Sequence, residues 1–120
     1  MNRLVAVRGA TCAKANTREE IIEKTTELLS RLFEKNDIDP VSIVSMFFTM
    51  TEDLNAEFPA VAAREMGFKN TALLCAKEVE VPGSLPRGIR VLIHYYSNLP
   101  ESPKFVYLYE ARELRSDLED

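Results

Sequence analysis

The sequence has few histidines and cysteines and no excess of positive charge. Each of these features argues against a class of function. The 120-residue chain has one histidine and two cysteines, Cys12 and Cys75, with no Cys-x-x-Cys pair. Neither a disulfide framework nor a metal site is therefore predicted. The net charge of −4 argues against nucleic acid as a partner, because phosphate binding needs a basic surface. A small anionic ligand is still compatible with the sequence, since it needs only a local group of arginines.

Long apolar runs are also missing. No segment approaches the length of a membrane span, and residues 1–7 lack the apolar core and cleavage site of a signal peptide. We therefore expect a cytoplasmic protein with no membrane partner. Hydrophobic residues make up 46% of the chain and charged residues 28%, as in ordinary globular proteins. A chain of this length predicts one domain, residues 1–120.

The hydrophobic pattern predicts an α+β fold with the element order β, α, β, α, β, β, β. Thr17 and Glu20 form a capping-box pattern at the start of the first helix, and Pro59 opens the second. The turn types favour a mixed sheet with helices on one face. The C-terminal segment 111–120 is short and charged, and we expect it to be mobile. The predicted strands are 3–7, 43–50 (buried on both faces), 71–76, 90–96 and 104–109, and the predicted helices are 17–36 and 60–66.

The most informative stretch, residues 75–91, contains two strand-like segments joined by a connection that is stiffened by proline and glycine. Apolar residues alternate around Val81 and again from residue 89 onward, whereas Pro86 indicates a turn. Glu78 and Arg90 are therefore expected on opposite sides of a turn. Two interpretations remain open: a carboxylate and a guanidinium held at one pocket, or charges without a function, either as a cross-strand ion pair or as two solvated surface groups.

Two other side chains also allow two interpretations each. Arg8 follows the first strand and precedes a turn predicted at Gly9, so it is either a ligand-binding group at a strand end or a solvated arginine. Cys75 is either a small buried hydrophobe or a functional thiol, although no neighbouring base could activate it. His94 is expected to be an ordinary sheet residue.

Several separated motifs stand out along nearly the whole chain: Val7-Arg8-Gly9-Ala10-Thr11, Phe58-Pro59-Ala60, Ala63-Arg64, residues 75–91 and Val106-Tyr107-Leu108. Together, and in this order, they resemble the monofunctional, trimeric type of bacterial chorismate mutase. The resemblance implies a homotrimer in which three sheets form a barrel-like core, with active sites in the clefts between subunits. The implied reaction is the rearrangement of chorismate to prephenate in aromatic amino-acid biosynthesis, which needs no cofactor.

The resemblance also implies a role for each matching residue. Arg90 would stabilise the negative charge that develops on the departing ether oxygen, while Glu78 and Cys75 would contact the ring hydroxyl. Arg8 and Tyr107 would bind a carboxylate. Val61 stands where some relatives have lysine, so a second cation at the entrance is missing. The other matching residues would wall, rim or close the pocket: Phe58, Ala60, Arg64, Leu73, Leu74, Leu114 and Arg115.

Two further functions remain open on the sequence alone. A trimeric deaminase of reactive imines could use a similar assembly and an arginine between subunits, but it would have to activate water. A regulatory module could use the same arginines to bind a small dicarboxylate without turnover.

Overall fold

The structure, a computed structural model, describes residues 2–118, and side chains as far as Leu114. It has the predicted α+β class, the predicted element order and a mixed five-stranded sheet in the order β3-β2-β4-β1-β5. The strands are β1 (Arg3–Cys12), β2 (Ile43–Met50), β3 (Ala72–Lys77), β4 (Gly88–Ser97) and β5 (Val106–Tyr107). The helices are α1 (Arg18–Asn36) and α2 (Ala60–Glu65), with 3₁₀ helices at Pro40–Ser42 and Tyr109–Leu118.

The central strand β4 organises the sheet. It runs antiparallel to β1 on one side and to β2 on the other. The outer strands are both parallel to their neighbours, β3 to β2 and β5 to β1. This arrangement brings the middle of β1, β2 and β4 side by side at the centre of the sheet.

Both α-helices pack against one face of the sheet, where the main core lies. Leu28, Leu29 and Leu32, which recur at helical spacing along α1, are fully buried there. At its start, the Glu20 backbone N–H donates to Thr17 Oγ1 (3.1 Å). The Glu20 carboxylate accepts from Lys14 N–H (2.7 Å), so only one half of the predicted capping box forms.

The opposite face of the sheet is open in the single chain. Sequence analysis predicted that residues 43–50 are buried on both faces, and this is wrong for one copy of the chain. Met46 and Phe48 are buried under the helices, whereas Phe47 is exposed on the other side. Leu4 of β1, Leu74 of β3 and Leu92 of β4 extend this exposed apolar surface, which we call the open face.

Gly9 does not make the turn that the sequence predicted. Strand β1 continues through it to Cys12, so Arg8 lies in mid-strand and not at a strand end. A Cβ atom at position 9 would lie 2.7 Å from the Val106 carbonyl oxygen and 3.0 Å from a methyl group of Leu28. Glycine is needed here because β5 and α1 approach the strand too closely for a side chain.

The connection between β3 and β4 is a braced loop and not a second strand. Residues 78–81 leave the sheet after the Glu78 N–H donates to the Met50 carbonyl (2.8 Å). At the far end of the loop, the Asp53 carboxylate accepts from the Arg87 backbone N–H (2.9 Å). These contacts fix both ends of the segment that joins Glu78 to β4.

The C-terminal segment also differs from the prediction. The last strand is only two residues long, and the chain continues as the 3₁₀ helix Tyr109–Leu118. Ala111 is fully buried in this helix, which places the start of the predicted mobile segment 111–120 against the sheet. Residues 119 and 120 lie outside the described part of the chain.

Candidate active site

Arg90 and Glu78 lie in contact on the open face. The pairing of β2 with β4 puts Thr49 directly beside Arg90, and both side chains point away from the helices. The Thr49 hydroxyl donates to Glu78 Oε2 (2.6 Å), and Arg90 Nε lies 3.3 Å from the same oxygen. One oxygen of the Glu78 carboxylate therefore holds Nε of Arg90. The two terminal nitrogens of the Arg90 guanidinium extend beyond this contact.

A cavity of about 370 Å³ opens beside this pair. We call it the Arg90 cavity. Five of the residues predicted for the site line it together: Arg8, Glu78, Arg90, Tyr107 and Leu114. The sequence separates these residues widely, and the sheet unites them because β1, β4 and β5 are neighbours.

Arg8 brings a second guanidinium to the Arg90 cavity. Its Cζ atom lies 5.4 Å from the centre of the Phe105 ring, a cation–π distance. Arg8 Nε is buried and has no hydrogen-bond partner among the described residues. A buried charged donor without an acceptor is costly, so this part of the cavity is suited to an anionic ligand.

A small apolar cluster next to the Arg90 cavity supports Tyr107 and Leu114. Both pack against Ala10, Cys12 and Ala111, which are buried. Burial raises the pKa of the Cys12 thiol to about 11, and nearby Glu110 adds to this effect. Cys12 is therefore a neutral packing residue, and the cluster presents Tyr107 and Leu114 toward the cavity.

Cys75 and Phe58 line a different cavity, which we call the Cys75 cavity. Its volume is about 540 Å³ and its other lining residues include Met50 and Leu54. Cys75 packs against the main core under the helices, whereas Arg90 stands on the opposite face of the sheet. Within one chain, the predicted site is therefore divided into two separate parts.

The other predicted residues whose side chains the structure describes line neither cavity. Ala60 is buried at the start of α2 and its backbone contacts the Cys75 thiol, while the exposed Arg64 acts on that thiol electrostatically. Leu73 packs against the main core, and Leu74 is 58% exposed on the open face. The side chain of Arg115 lies outside the part of the chain that the structure describes.

Sequence analysis missed the other five lining residues of the Arg90 cavity: Gly9, Phe47, Thr49, Val91 and Leu92. Thr49 is the most important of them, since it shares the Glu78 carboxylate with Arg90. Alternation along β2 places Phe47 and Thr49 on the same face, which was a usable signal. This signal was not used, because residues 43–50 are apolar at nearly every position and were predicted to be buried on both faces.

Replacement of Cys75 by serine is expected to leave most of the activity. Burial raises the pKa of the Cys75 thiol, so the thiolate that a nucleophile requires is disfavoured. Serine keeps a small polar group at the same place. Steady-state turnover of the Cys75→Ser variant would check this, and a folded but inactive variant, or a covalent adduct seen by mass spectrometry, would contradict it.

Comparison with known proteins places this arrangement in a family. The family model described as "Chorismate mutase type I" matches residues 4–118. The chain belongs to the type I chorismate mutase family. The chorismate mutase AroH of Thermus thermophilus is 46% identical over 115 residues, which cover 94% of each chain. The AroH enzyme of Bacillus subtilis is 39% identical over 114 residues, covering 93% of this chain and 90% of the relative.

Solved structures agree with this family membership. A chorismate mutase from Clostridium thermocellum superposes with a TM-score of 0.84 at 46% identity, covering 90% of this chain and 97% of the other. Within residues 2–118, no set of three or more histidine, cysteine and acidic side chains is grouped to hold a metal ion. None of the described helices combines the length and apolar character needed to cross a membrane.

Proposed function

We propose that this chain catalyses the rearrangement of chorismate to prephenate, at sites shared between the subunits of a homotrimer. Its membership of the chorismate mutase family supports the reaction, which is an isomerisation. The observation that carries the proposal is the pair of guanidinium groups, Arg8 and Arg90, at one cavity. Chorismate has two carboxylates and an ether oxygen that gains negative charge during the reaction, and these groups need such donors.

The reaction is unimolecular, so the protein has two tasks. It holds the flexible substrate in its folded, reactive conformer, and it presents fixed positive charge where negative charge develops. Arg90 is the donor to the ether oxygen, and the contacts of Glu78 with Arg90 and Thr49 preorganise it. Arg8 and Tyr107 bind a carboxylate. No step requires a nucleophile, a proton donor or a cofactor.

Glu78 has a second proposed role, as an acceptor for the ring hydroxyl of the substrate. Cys75 is proposed to line the pocket near that hydroxyl, although it stands across the sheet from Arg90 in the same chain. A neighbouring subunit would resolve this separation by bringing its Cys75 cavity against the Arg90 cavity. Phe58, Ala60 and Arg64 would then belong to the wall and rim that the neighbour contributes.

The open face supports this assembly. A single chain leaves Leu4, Phe47, Leu74 and Leu92 exposed on one side of its sheet, and such apolar patches mark interaction surfaces. The contact between the two different cavities is heterologous, so it produces a closed ring when the rotation between subunits closes. A ring of three with the open faces inside is the barrel-like trimer that the family resemblance implies.

Loss of chorismate absorbance on adding the purified protein tests the function directly. Prephenate should accumulate in equal amount, and the product should be identified by its acid-catalysed conversion to phenylpyruvate. An imine deaminase would release ammonia from its own substrate and leave chorismate unchanged. A regulatory module would bind a dicarboxylate without any turnover.

We also propose a cytoplasmic location, as expected for an enzyme of aromatic amino-acid biosynthesis.

A chain that ends at Glu113 is expected to bind substrate more weakly but to react at a similar rate once substrate is bound. Leu114 lines the Arg90 cavity, and its truncation removes apolar contacts that the ground state and the transition state use equally. Loss of such uniform binding raises KM and leaves kcat nearly unchanged. Steady-state kinetics would check this, and a large fall in kcat at constant KM would contradict it.

A further inference from the structure

The C-terminal segment crosses the edge of the sheet from the helix side to the side of the Arg90 cavity. Leu108 is buried in the main core beside α1, whereas Ala111 and Leu114 belong to the apolar cluster behind the cavity. Tyr109 lies between these residues and opens the 3₁₀ helix. The direction in which the chain leaves Tyr109 therefore decides where Leu114 is placed.

Tyr109 has an unfavourable backbone conformation. Its φ angle is +56°, in the left-handed region that suits glycine and asparagine and is strained for a bulky side chain. A tyrosine at this position needs compensation from contacts of its side chain. Two such contacts are present, and both go to α1.

The side chain of Tyr109 makes two kinds of contact with one face of α1. Lys24 Nζ lies 4.4 Å from the centre of the ring, and the hydroxyl donates to the Glu27 carboxylate, 2.8 Å from Oε1 and 3.0 Å from Oε2. Lys24 is only 5% exposed, and a cation–π contact strengthens when its cation is removed from water. The three residues hold the first turn of the C-terminal segment against the helix.

We propose that Lys24, Glu27 and Tyr109 form a clamp that positions Leu114 in the Arg90 cavity. The proposal rests on the proposed chorismate mutase function. None of the three lines that cavity, so they are positioning residues that act on the substrate through Leu114. Loss of the clamp has the same consequence as loss of Leu114, namely weaker substrate capture at a nearly constant rate of reaction.

The first experiment compares two matched variants on the same helix. Lys24→Met removes the charge and keeps an unbranched side chain, whereas Lys35→Met makes the same change at an exposed position near the end of α1. Lys24→Met should raise KM roughly 3- to 30-fold, the range that a cation–π contact is worth, with kcat within about twofold. Lys35→Met should match the parent.

The second experiment asks whether the effect passes through Leu114. In the chain that ends at Glu113, Lys24→Met should cause no further rise in KM, because coupled residues are not additive. If Lys24→Met raised KM by the same factor in the shortened chain as in the full chain, the two changes would be independent and the proposal would be wrong. Hydrogen exchange adds a readout apart from activity: the amides of residues 110–114 should exchange faster in Lys24→Met and at the parent rate in Lys35→Met. Unchanged exchange in Lys24→Met would also overturn it.

The tests separate failure of the clamp from failure of the function. If the parent protein leaves chorismate unchanged, the proposed function is wrong. If the parent is active and Lys24→Met behaves like Lys35→Met, only the clamp is wrong. Should Lys24→Met fail to fold, Glu27→Ala replaces it, because Glu27 is only half-buried and the change removes both acceptors of the Tyr109 hydroxyl. A KM equal to that of the parent would then overturn the proposal.

Discussion

Replacing Arg90 with alanine is expected to lower kcat by at least about 100- to 1,000-fold and to change KM much less. The guanidinium is proposed to act on charge that develops only in the transition state, and such interactions raise kcat selectively. Loss of one preorganised donor to a developing oxyanion costs about 3–4 kcal/mol in acyl-transfer enzymes. A full positive charge in an enclosed site should be worth at least as much.

Arg90→Lys is the more informative variant. Lysine keeps the positive charge but loses the planar guanidinium and shortens the reach. The contact to Glu78 uses Nε (3.3 Å), an atom that lysine lacks at that point of the side chain. We expect Arg90→Lys to be severely impaired, although less so than Arg90→Ala, because the charge would no longer be fixed against Glu78.

The Arg90 experiment needs a matched arginine and a check on the fold. Arg3→Ala on β1 is a suitable control, since its guanidinium donates to the backbone carbonyls of Leu99 and Glu101, at the end of the β1–β4 pairing away from Arg90. Circular dichroism and assembly mass should first be equal in all variants. An Arg90→Ala variant that turns over chorismate within a few-fold of the parent would exclude Arg90 as the electrostatic catalyst.

The local features of the fold could be predicted from the sequence because each depends on neighbouring residues. The helical spacing of Leu28, Leu29 and Leu32 defines the buried stripe of α1 wherever the helix packs. Thr17 caps that helix through its own backbone neighbour, Glu20. Glu78 and Arg90 were predicted on opposite sides of a turn, and the structure has them in contact.

Features that depend on distant parts of the chain were missed. Gly9 looks like a turn, but its lack of a side chain serves the close approach of β5, which the sequence around it does not encode. The left-handed conformation of Tyr109 was missed for the same reason, because the contacts that compensate it lie on α1. Thr49 was overlooked because its partner residues belong to two other segments.

The division of the site into two cavities is the clearest limit of sequence reasoning. Family resemblance assigns Cys75 and Arg90 to one site but does not say which copy of the chain supplies each residue. The apolar run of residues 43–50 predicted burial on both faces, and one chain buries only one of them. Both discrepancies have the same physical explanation if a second copy of the chain covers the open face.

Replacing Leu74 with aspartate is therefore expected to break the assembly and abolish activity together. Leu74 is 58% exposed in the single chain and pairs with Phe47 across β2 and β3, on the open face that forms the proposed interface. Each interface would lose the burial of a leucine side chain, worth about 1.5–3 kcal/mol. It would also have to bury an unpaired carboxylate, which costs several kcal/mol more.

Val41→Asp is the matched control for this prediction. Val41 is 91% exposed in a 3₁₀ helix outside the sheet, so the same change there should leave assembly and turnover intact. Sedimentation equilibrium at micromolar concentration should give a trimer for the parent and for Val41→Asp. Leu74→Asp should sediment as a 13.6 kDa monomer with an unchanged circular dichroism spectrum, since the main core lies on the other face. A Leu74→Asp protein that remains trimeric and active would show that the open face is not the interface, and the shared site would have to be abandoned.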